Sequence, residues 1–500
     1  MQRSSGILMP VFSLPSPYGI GTLGQAARTF VDFLKAAGQT WWQILPVGPT
    51  GYGDSPYQSF SAYAGNPYLI DLDLLREDGL LTQAEIDSAF WGADPARVDY
   101  GVLYQNRLAV LSIACHRGWE RDAEAVAQFS AENRNWLPDY ALFMALKQHF
   151  GGKPWMRWPE DIRLRRREAV ERYRKALSED VALFTYLQFL FFRQWDALRA
   201  YAAEQGVRII GDLPIYVAMD SADVWAEPEN FQLDAQLTPT EVAGVPPDYF
   251  AADGQLWGNP LYNWDAMKAD GFGWWIRRAD GARRLYDLLR LDHFRGFERY
   301  WAVPYGAATA RNGRWVQGPG MDLLRVLTGW FPDLRFIAED LGQLTPEVHA
   351  LRDAAGLPGM KVLEFAFDSR DTGSASDYLP HNYPVNSVAY TGTHDNETLV
   401  SWYQTISDAE RAMVRDYLYD YATPDEQLYK SMIALILRSA AARCIIPMQD
   451  WLGLDNAARI NKPSTVGQNW RWRLKKTQLT KKLQKEICQL TTRYGRKNWA

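Results

Sequence analysis

Short hydrophobic runs, bounded by turn-forming residues, recur along the chain with helix-like stretches between them. This alternation is typical of a parallel α/β fold, in which buried strands have nearly continuous apolar sequence. Eight such runs predict eight strands. They are Gly6–Val11, Thr40–Val47, Val207–Leu213, Leu288–Phe294, Arg335–Asp340, Met360–Phe367, Ser387–Thr391 and Cys444–Met448.

The stretches between these runs show the spacing of amphipathic helices. After the first run, Ala27, Phe30, Val31 and Leu34 recur at i, i+3, i+4 and i+7, and Gly38 suits the end of that helix. Eight strands alternating with helices predict an α/β fold, a closed (β/α)₈ TIM barrel. A doubly wound open sheet remains the structural alternative.

Two connections between predicted strands are much longer than the others. Residues from about 70 to 195 predict a helical insertion, and residues from about 220 to 275 are rich in proline, glycine, aspartate and aromatic residues. No internal repeat or low-complexity linker separates these segments from the rest of the chain. We therefore expect residues 1–500 to form a single catalytic barrel, with both insertions at the C-terminal face of the strands.

Polar residues close several of the predicted strands. Active sites of (β/α)₈ barrels lie at the C-terminal ends of the strands. Any one acid there is readily explained as a helix cap or a rim salt bridge, but acids at several equivalent ends predict a catalytic site. The residues are Asp212 on strand three, Arg290, Asp292 and His293 on strand four, Glu339 and Asp340 on strand five, and His394 and Asp395 on strand seven.

Neighbouring strand ends four and five carry the two acids that retaining glycoside chemistry requires. That chemistry needs two carboxyl groups about 5–5.5 Å apart, one to attack the anomeric carbon and one to protonate the leaving oxygen. Asp292 and Glu339 are the candidates. Arg290 shares a strand face with Asp292, because side chains alternate along a strand, and its charge is expected to keep Asp292 ionised.

A third acid, Asp395, is the candidate for stabilising an oxocarbenium-like transition state, with His293 and His394 as hydrogen-bond donors to sugar hydroxyls. The same residue types also bind divalent metals, so a metal site remains an alternative interpretation. The sequence contains no His-x-His or HExxH pattern to support it.

Composition narrows the class of partner. A formal charge of −5 over 500 residues provides no field suited to nucleic acid or an anionic membrane, so neither is expected as a partner. The 21 Trp, 26 Tyr and 21 Phe residues favour an aromatic core with some rings available to stack on sugar faces. Three widely spaced cysteines and a short N-terminal apolar run predict a cytoplasmic protein.

At the level of longer motifs, the sequence resembles amylomaltases, the 4-α-glucanotransferases also called disproportionating enzymes. The resemblance extends over essentially the full length. The matching segments are SPYQSFSAYAGNPYLIDL, GDLPIYVAMDSADVWA, PPDYFAADGQLWGNPLYNW, LRLDHFRGFERYWAVP, IAEDLG, GLPGMKVLEFAF and YTGTHDNET.

The resemblance implies the same roles for the three acids: Asp292 as nucleophile, Glu339 as acid/base and Asp395 as transition-state stabiliser. It implies transfer of segments of α-1,4-glucans and maltooligosaccharides to the 4-hydroxyl of another chain, with glucose or maltose as acceptor. No metal, nucleotide or organic cofactor is expected. The sugar-binding positions implied are Ser55, Tyr57, Asp212, Trp257, Asn259, Arg290, His293, His394 and Asn461.

Within the second insertion, Val245–Trp257 is expected to act as a lid that favours transfer over hydrolysis. Tyr249 and Phe250, beside a Pro-Pro pair, are expected to stack on the acceptor sugar, although both rings could instead anchor the loop to the barrel. Two alternative functions remain: a hydrolase of the α-amylase type, and a catalytically silent glucan-binding protein.

Overall fold

The computed structural model describes residues 3–51, 53–247, 252–342, 344–369 and 376–499. Its strands form two sheets, a closed barrel and a smaller four-stranded sheet. In chain order the strands are β1 (Ser4–Leu8), β2 (Trp41–Gln43), β3 (Arg208–Leu213), β4 (Glu241–Val245), β5 (Gln255–Pro260), β6 (Leu288–Leu291), β7 (Arg299–Pro304), β8 (Arg314–Gln317), β9 (Arg335–Ala338), β10 (Gly359–Val362), β11 (Ser387–Tyr390) and β12 (Arg443–Pro447).

The predicted (β/α)₈ barrel is confirmed, and the open-sheet alternative is wrong. Eight parallel strands pair in the order β1-β12-β11-β10-β9-β6-β3-β2, and β1 pairs with both β12 and β2, which closes the sheet. A closed parallel barrel brings the C-terminal ends of all eight strands to one face.

Helices surround the barrel and form most of the first insertion. They are α1 (Gln25–Ala36), α2 (Leu72–Glu77), α3 (Gln83–Asp87), α4 (Tyr100–Arg121), α5 (Ala123–Glu132), α6 (Leu137–His149), α7 (Glu160–Arg163), α8 (Arg167–Ala176), α9 (Ser178–Glu204), α10 (Ala222–Ala226), α11 (Trp264–Ala269), α12 (Gly273–Leu285), α13 (Arg295–Glu298), α14 (Gly320–Trp330), α15 (Pro346–Ala354), α16 (Leu399–Thr405), α17 (Asp408–Leu418), α18 (Leu428–Arg438), α19 (Met448–Trp451) and α20 (Lys481–Arg493). None of the described helices is both long enough and apolar enough to span a bilayer.

Several strand boundaries differ from the predicted ones. The predicted strand Gly6–Val11 is Ser4–Leu8, and Val11–Ser13 forms a 3₁₀ helix. The predicted strand Met360–Phe367 ends at Val362, and another 3₁₀ helix, Leu363–Phe365, begins directly after it. The apolar runs continue beyond the strands because the chain stays buried as it leaves the barrel, and hydrophobicity reports burial and not extended backbone.

An antiparallel sheet of four strands, in the order β5-β4-β7-β8, was not predicted. Its first two strands lie in the second insertion, and its last two follow β6. Strand β8 is mostly exposed and β5 contains glycine and proline, so neither shows the apolar pattern that marks a buried strand. In sequence, β4 and β5 lie between the barrel strands β3 and β6, and β7 and β8 lie between β6 and β9. Three of the candidate acids, Asp212, Asp292 and Glu339, lie at the ends of these same barrel strands.

The barrel interior is filled by large side chains, so it is a packed core and the site lies above it. Trp41 and Tyr390 are the largest of these side chains, and Tyr390 donates a hydrogen bond to Gln43 at 2.9 Å. The cluster consists of Leu8, Trp41, Ile210, Leu288, Ile337, Met360, Val362, Val388, Tyr390 and Ile445.

Candidate active site

The candidate acids meet at one mouth of the barrel. Asp212 and Arg290 lie within β3 and β6, and their Cα positions are register partners. Asp292 follows the end of β6, Glu339 follows the end of β9, and Asp395 lies five residues beyond β11. Since β3, β6 and β9 are consecutive in the barrel, the side chains on or directly after these three strands lie at adjacent positions. Asp395 follows β11, which β10 separates from β9.

Arg290 connects two of the acids. Its Nη1 donates to both carboxylate oxygens of Asp212, at 2.7 and 2.6 Å, and lies 2.9 Å from Oδ1 of Asp292. The hydroxyl of Tyr57 also donates to Asp212, at 2.6 Å. The Asp212 side chain is only 1% exposed and that of Asp292 is 24% exposed, so Asp212 holds Arg290 from behind while Asp292 faces the cleft.

Glu339 is attached to the neighbouring strand end. Its Oε2 accepts a hydrogen bond from the backbone N–H of His293 at 2.6 Å, and its own backbone N–H donates to Leu291 at 3.0 Å. These bonds fix Glu339 beside the residue that follows Asp292. The two acids on which the predicted chemistry depends are therefore positioned by the same short segment.

Burial dominates the ionisation of the two acids. It raises the pKa of Asp292 to about 7, against the opposing charge of Arg290, and raises the pKa of Glu339 to about 8, with the charge of Asp292 adding to the effect. Arg290 is thus a weaker influence on Asp292 than expected from the sequence. The contact between Arg290 and Asp292 favours ionisation of Asp292 before Glu339.

Asp395 is held by a network of its own. The amide of Asn461 donates to its Oδ1 at 2.6 Å, and Nε2 of His394 lies 3.4 Å from the same oxygen. Arg459 donates to the backbone carbonyl of Asp395 at 2.6 Å and to that of Asn461 at 2.8 Å. Asn461 and His394 therefore orient the carboxylate, while Arg459 holds the backbone next to it.

Two neutral imidazoles and their aromatic partners form part of the walls. His394 stacks on Tyr57, with ring centroids 5.2 Å apart, and the rings of Trp257 and His293 meet in a T-shaped arrangement with centroids 4.8 Å apart. Burial lowers the pKa of His293 to about 4 and also lowers the pKa of His394. Both rings are therefore uncharged near neutral pH and can exchange hydrogen bonds with hydroxyl groups without adding charge.

The other predicted sugar-binding residues lie in supporting positions or outside the described residues. Ser55 accepts a hydrogen bond from the backbone N–H of Tyr57 at 3.3 Å. Asn259 is buried and donates to the carbonyl of Val217 at 2.8 Å, so its amide helps to hold the loop that precedes the second insertion. Tyr249 and Phe250 lie outside the described residues.

Sequence reasoning missed Arg459 and Trp470. Trp470 lies 5.9 Å from the ring of Tyr57 and 6.0 Å from that of His394, and completes a three-ring cluster behind Asp395. Arg459 lies two positions before Asn461, yet no spacing rule connects it to an acid in a distant loop.

Across the described ranges, no group of three or more His, Cys, Asp or Glu side chains is arranged to hold a metal ion.

The family model for 4-alpha-glucanotransferase matches residues 9–480. The chain belongs to the 4-alpha-glucanotransferase family. This confirms the resemblance found in the sequence, and the chain is an enzyme of this type that acts on α-glucans.

Similar proteins cover the chain almost completely. The 4-alpha-glucanotransferase of Thermus thermophilus is 50% identical over 484 residues, which are 95% of each chain. That of Clostridium butyricum is 47% identical over 490 residues, which are 98% of this chain and 100% of the relative. An amylomaltase from Streptococcus agalactiae, solved in complex with acarbose, superposes with a TM-score of 0.96 at 42% identity, covering 99% of this chain and 100% of its own.

Proposed function

We propose that this 4-alpha-glucanotransferase works by retaining double displacement, with Asp292 as nucleophile and Glu339 as acid/base. The observation that supports this most directly is the asymmetry of the buried pair: Asp292 contacts Arg290 at 2.9 Å, while burial and the charge of Asp292 keep the proton on Glu339. A nucleophile must be ionised and a general acid must hold its proton, and the pair meets both conditions near neutral pH.

In the first step an Asp292 oxygen attacks the anomeric carbon of the donor glucan, and the glycosidic C–O bond breaks. Glu339 transfers its proton to the departing oxygen, which leaves as the 4-hydroxyl of the shortened chain. In the second step the Glu339 carboxylate removes the proton from the 4-hydroxyl of an acceptor, whose oxygen attacks the same carbon. The ester bond to Asp292 breaks, and both acids return to their starting forms.

Asp395 and its partners stabilise the positive charge that develops on the sugar between these steps. Its carboxylate is fixed by Asn461 and lies near enough to Asp292 for the two charges to interact, so it is oriented before the substrate binds. The neutral imidazoles of His293 and His394 orient sugar hydroxyls. We propose that the whole chain acts as one catalytic unit in the cytoplasm, without a cofactor, and accepts glucose and short maltooligosaccharides.

The segment Val245–Trp257 is proposed to be the lid. Its described ends belong to β4 and β5, where Val245 pairs with Gln255 in an antiparallel hairpin. Trp257, on the second strand of the hairpin, packs against His293. The loop is thus anchored beside the candidate acids, where it can exclude water from the glycosyl-enzyme intermediate.

Products formed from pure maltotriose test transfer against hydrolysis. We expect glucose to appear together with maltopentaose and longer chains, while the number of reducing ends stays nearly constant, because each intermediate is intercepted by a sugar. Chromatography of the products and a reducing-end assay measure both quantities. A steady rise in reducing ends, with only glucose and maltose formed, would support a hydrolase of the α-amylase type.

The pH dependence tests the proposed division of roles between the two acids. We expect kcat/KM for maltotriose to fall as the pH rises through about 8, because ionised Glu339 cannot protonate the leaving oxygen. It should also fall as the pH drops through about 7, because Asp292 gains a proton and loses its nucleophilicity. Initial rates of glucose release provide the profile, and a rate that stays flat on the alkaline side would contradict the assignment of Glu339 as acid.

A further inference from the structure

Two tyrosines project from the surface after helix α17, away from the residues that surround Asp292. Tyr419 is 86% exposed and Tyr421 is 64% exposed. Their ring centroids are 5.9 Å apart and the ring planes are inclined by 76°. The two rings thus meet edge to face while both side chains stay largely exposed, an arrangement that the core of the protein does not require.

The backbone makes a tyrosine costly at the first of these positions. Tyr419 is the C-cap residue directly after α17, and its φ of 52° lies in the left-handed region. Glycine is the usual residue at such a helix end, because a side chain is strained there. Neither burial nor backbone geometry explains why a tyrosine occupies this position.

Hydrogen bonds hold the loop that carries the rings. Arg415 donates to the backbone carbonyls of Asp420 at 3.0 Å and Thr423 at 2.6 Å. The Asp420 carboxylate accepts from the N–H of Thr423 at 3.0 Å and from the hydroxyl of Ser431 at 2.9 Å. The loop is therefore organised from within before any ligand binds, which lowers the entropic cost of binding.

The second ring is also fixed in orientation. The hydroxyl of Tyr421 donates to Asp416 at 2.7 Å, on the last turn of the preceding helix. This bond restricts rotation of the side chain, which remains largely exposed. A rigid ring that presents its face to solvent is the arrangement that sugar stacking requires.

The pair lies toward the catalytic end of the barrel. The loop precedes α18, which leads into the N-terminal end of β12, so the start of α18 lies near the C-terminal ends of the strands. Contacts agree with this placement: a Cβ at Gly453, in the segment after β12, would lie 2.7 Å from the ring of Tyr429 near the start of α18. A long glucan that leaves the cleft can therefore extend toward this side of the molecule.

We propose that Tyr419 and Tyr421 form a surface site that binds α-1,4-glucan chains at a distance from the catalytic acids. The apolar C–H faces of consecutive glucosyl units stack on the two rings, and the inclination between the rings follows the curvature of the chain. The carboxylate of Asp416 and the hydroxyl of Tyr419 are available to sugar hydroxyls. This inference rests on the activity of the family, because a second binding site strengthens the binding of a polymeric substrate.

A double variant, Tyr419→Ser with Tyr421→Ser, separates binding of long chains from catalysis. Electrophoresis through native gels containing graded amounts of amylose gives a dissociation constant that does not depend on turnover. We expect this constant to increase about tenfold, because two aromatic contacts are lost. Disproportionation of maltotriose should stay within about twofold of the parent rate, since so short a substrate cannot reach both sites.

Two further variants serve as controls. Trp330→Ser removes a side chain that is also 64% exposed, but at the end of α14, which leads into β9 and so lies at the opposite end of the barrel. It should leave the affinity for amylose unchanged. Tyr419→Gly removes one ring and relieves the left-handed strain, so it should weaken amylose binding without lowering the thermal midpoint.

Unchanged amylose affinity in the double variant would overturn the proposal. So would an equal loss of maltotriose transfer, which would indicate a role of the loop in folding or catalysis, or a loss of amylose affinity in Trp330→Ser as well. If the rings serve a protein partner instead, amylose retention is unaffected and the proposal fails. A parent enzyme that binds amylose through these tyrosines but does not disproportionate maltotriose would contradict the proposed catalytic function and leave the surface site standing.

Discussion

Replacing Asp292 by asparagine is expected to reduce transfer from maltotriose by roughly 10⁴-fold or more, because an amide cannot form the glycosyl ester on which both steps depend. Asparagine has nearly the shape of aspartate and can stay beside Arg290. The loss would therefore reflect missing chemistry and not a missing contact. Glucose release measures the rate, and mass spectrometry of the intact protein should detect no sugar attached to the variant.

The stability of the same variant provides the control. Since burial raises the pKa of Asp292 to about 7, the ionised form is less favourable in the folded protein than in the unfolded chain. This cost grows as the pH rises from the ordinary aspartate range to about 7, and it is fully present and constant above that pH, where both states are ionised. A neutral asparagine removes that cost, so the thermal midpoint at alkaline pH should not fall. A variant that keeps more than about a hundredth of the parental rate while folded would show that another residue forms the covalent bond.

Much of the fold could be predicted because each barrel strand is buried on both faces. Such strands appear as short apolar runs, and all eight predicted runs correspond to barrel strands. The antiparallel sheet could not be predicted in the same way. Strand β8, with Arg314 at its start, is largely exposed, so it has neither a continuous apolar run nor clear alternation.

The acids of the candidate site could be predicted from their position after the strands, because the barrel brings all those ends together. Their supporting residues could not. Arg459 acts on backbone carbonyls, which every residue has, so no sequence pattern marks it. Asp212 is predicted as a sugar-binding residue, but its bonds to Arg290 and Tyr57 could not be read from the sequence. Burial also has a larger effect on the pKa of Asp292 than the sequence suggested. The alternation of side chains along a strand reveals the neighbouring arginine, but it does not reveal how deeply the carboxyl group is buried.

Replacing Glu339 by glutamine should produce a different defect from that of Asp292→Asn. Transfer from maltotriose is expected to fall by about 10²–10⁴-fold, since neither protonation of the leaving oxygen nor activation of the acceptor remains. A donor whose leaving group needs no proton, such as a maltosyl fluoride, should still react with Asp292. The second step is then slow, and the glycosyl-enzyme should accumulate.

Azide distinguishes this explanation from general damage to the site. It attacks the anomeric carbon without first losing a proton, so it should restore turnover of Glu339→Gln with the fluoride donor and release a glycosyl azide of retained configuration. It should not rescue Asp292→Asn, which forms no intermediate. Peptide mapping of the trapped protein should place the sugar on Asp292, and the decline in rate above about pH 8 should disappear because the group that titrates there is gone. Sugar found on Asp395 or on another acid, or turnover that azide leaves unchanged, would contradict the assignment of nucleophile and acid/base to this pair.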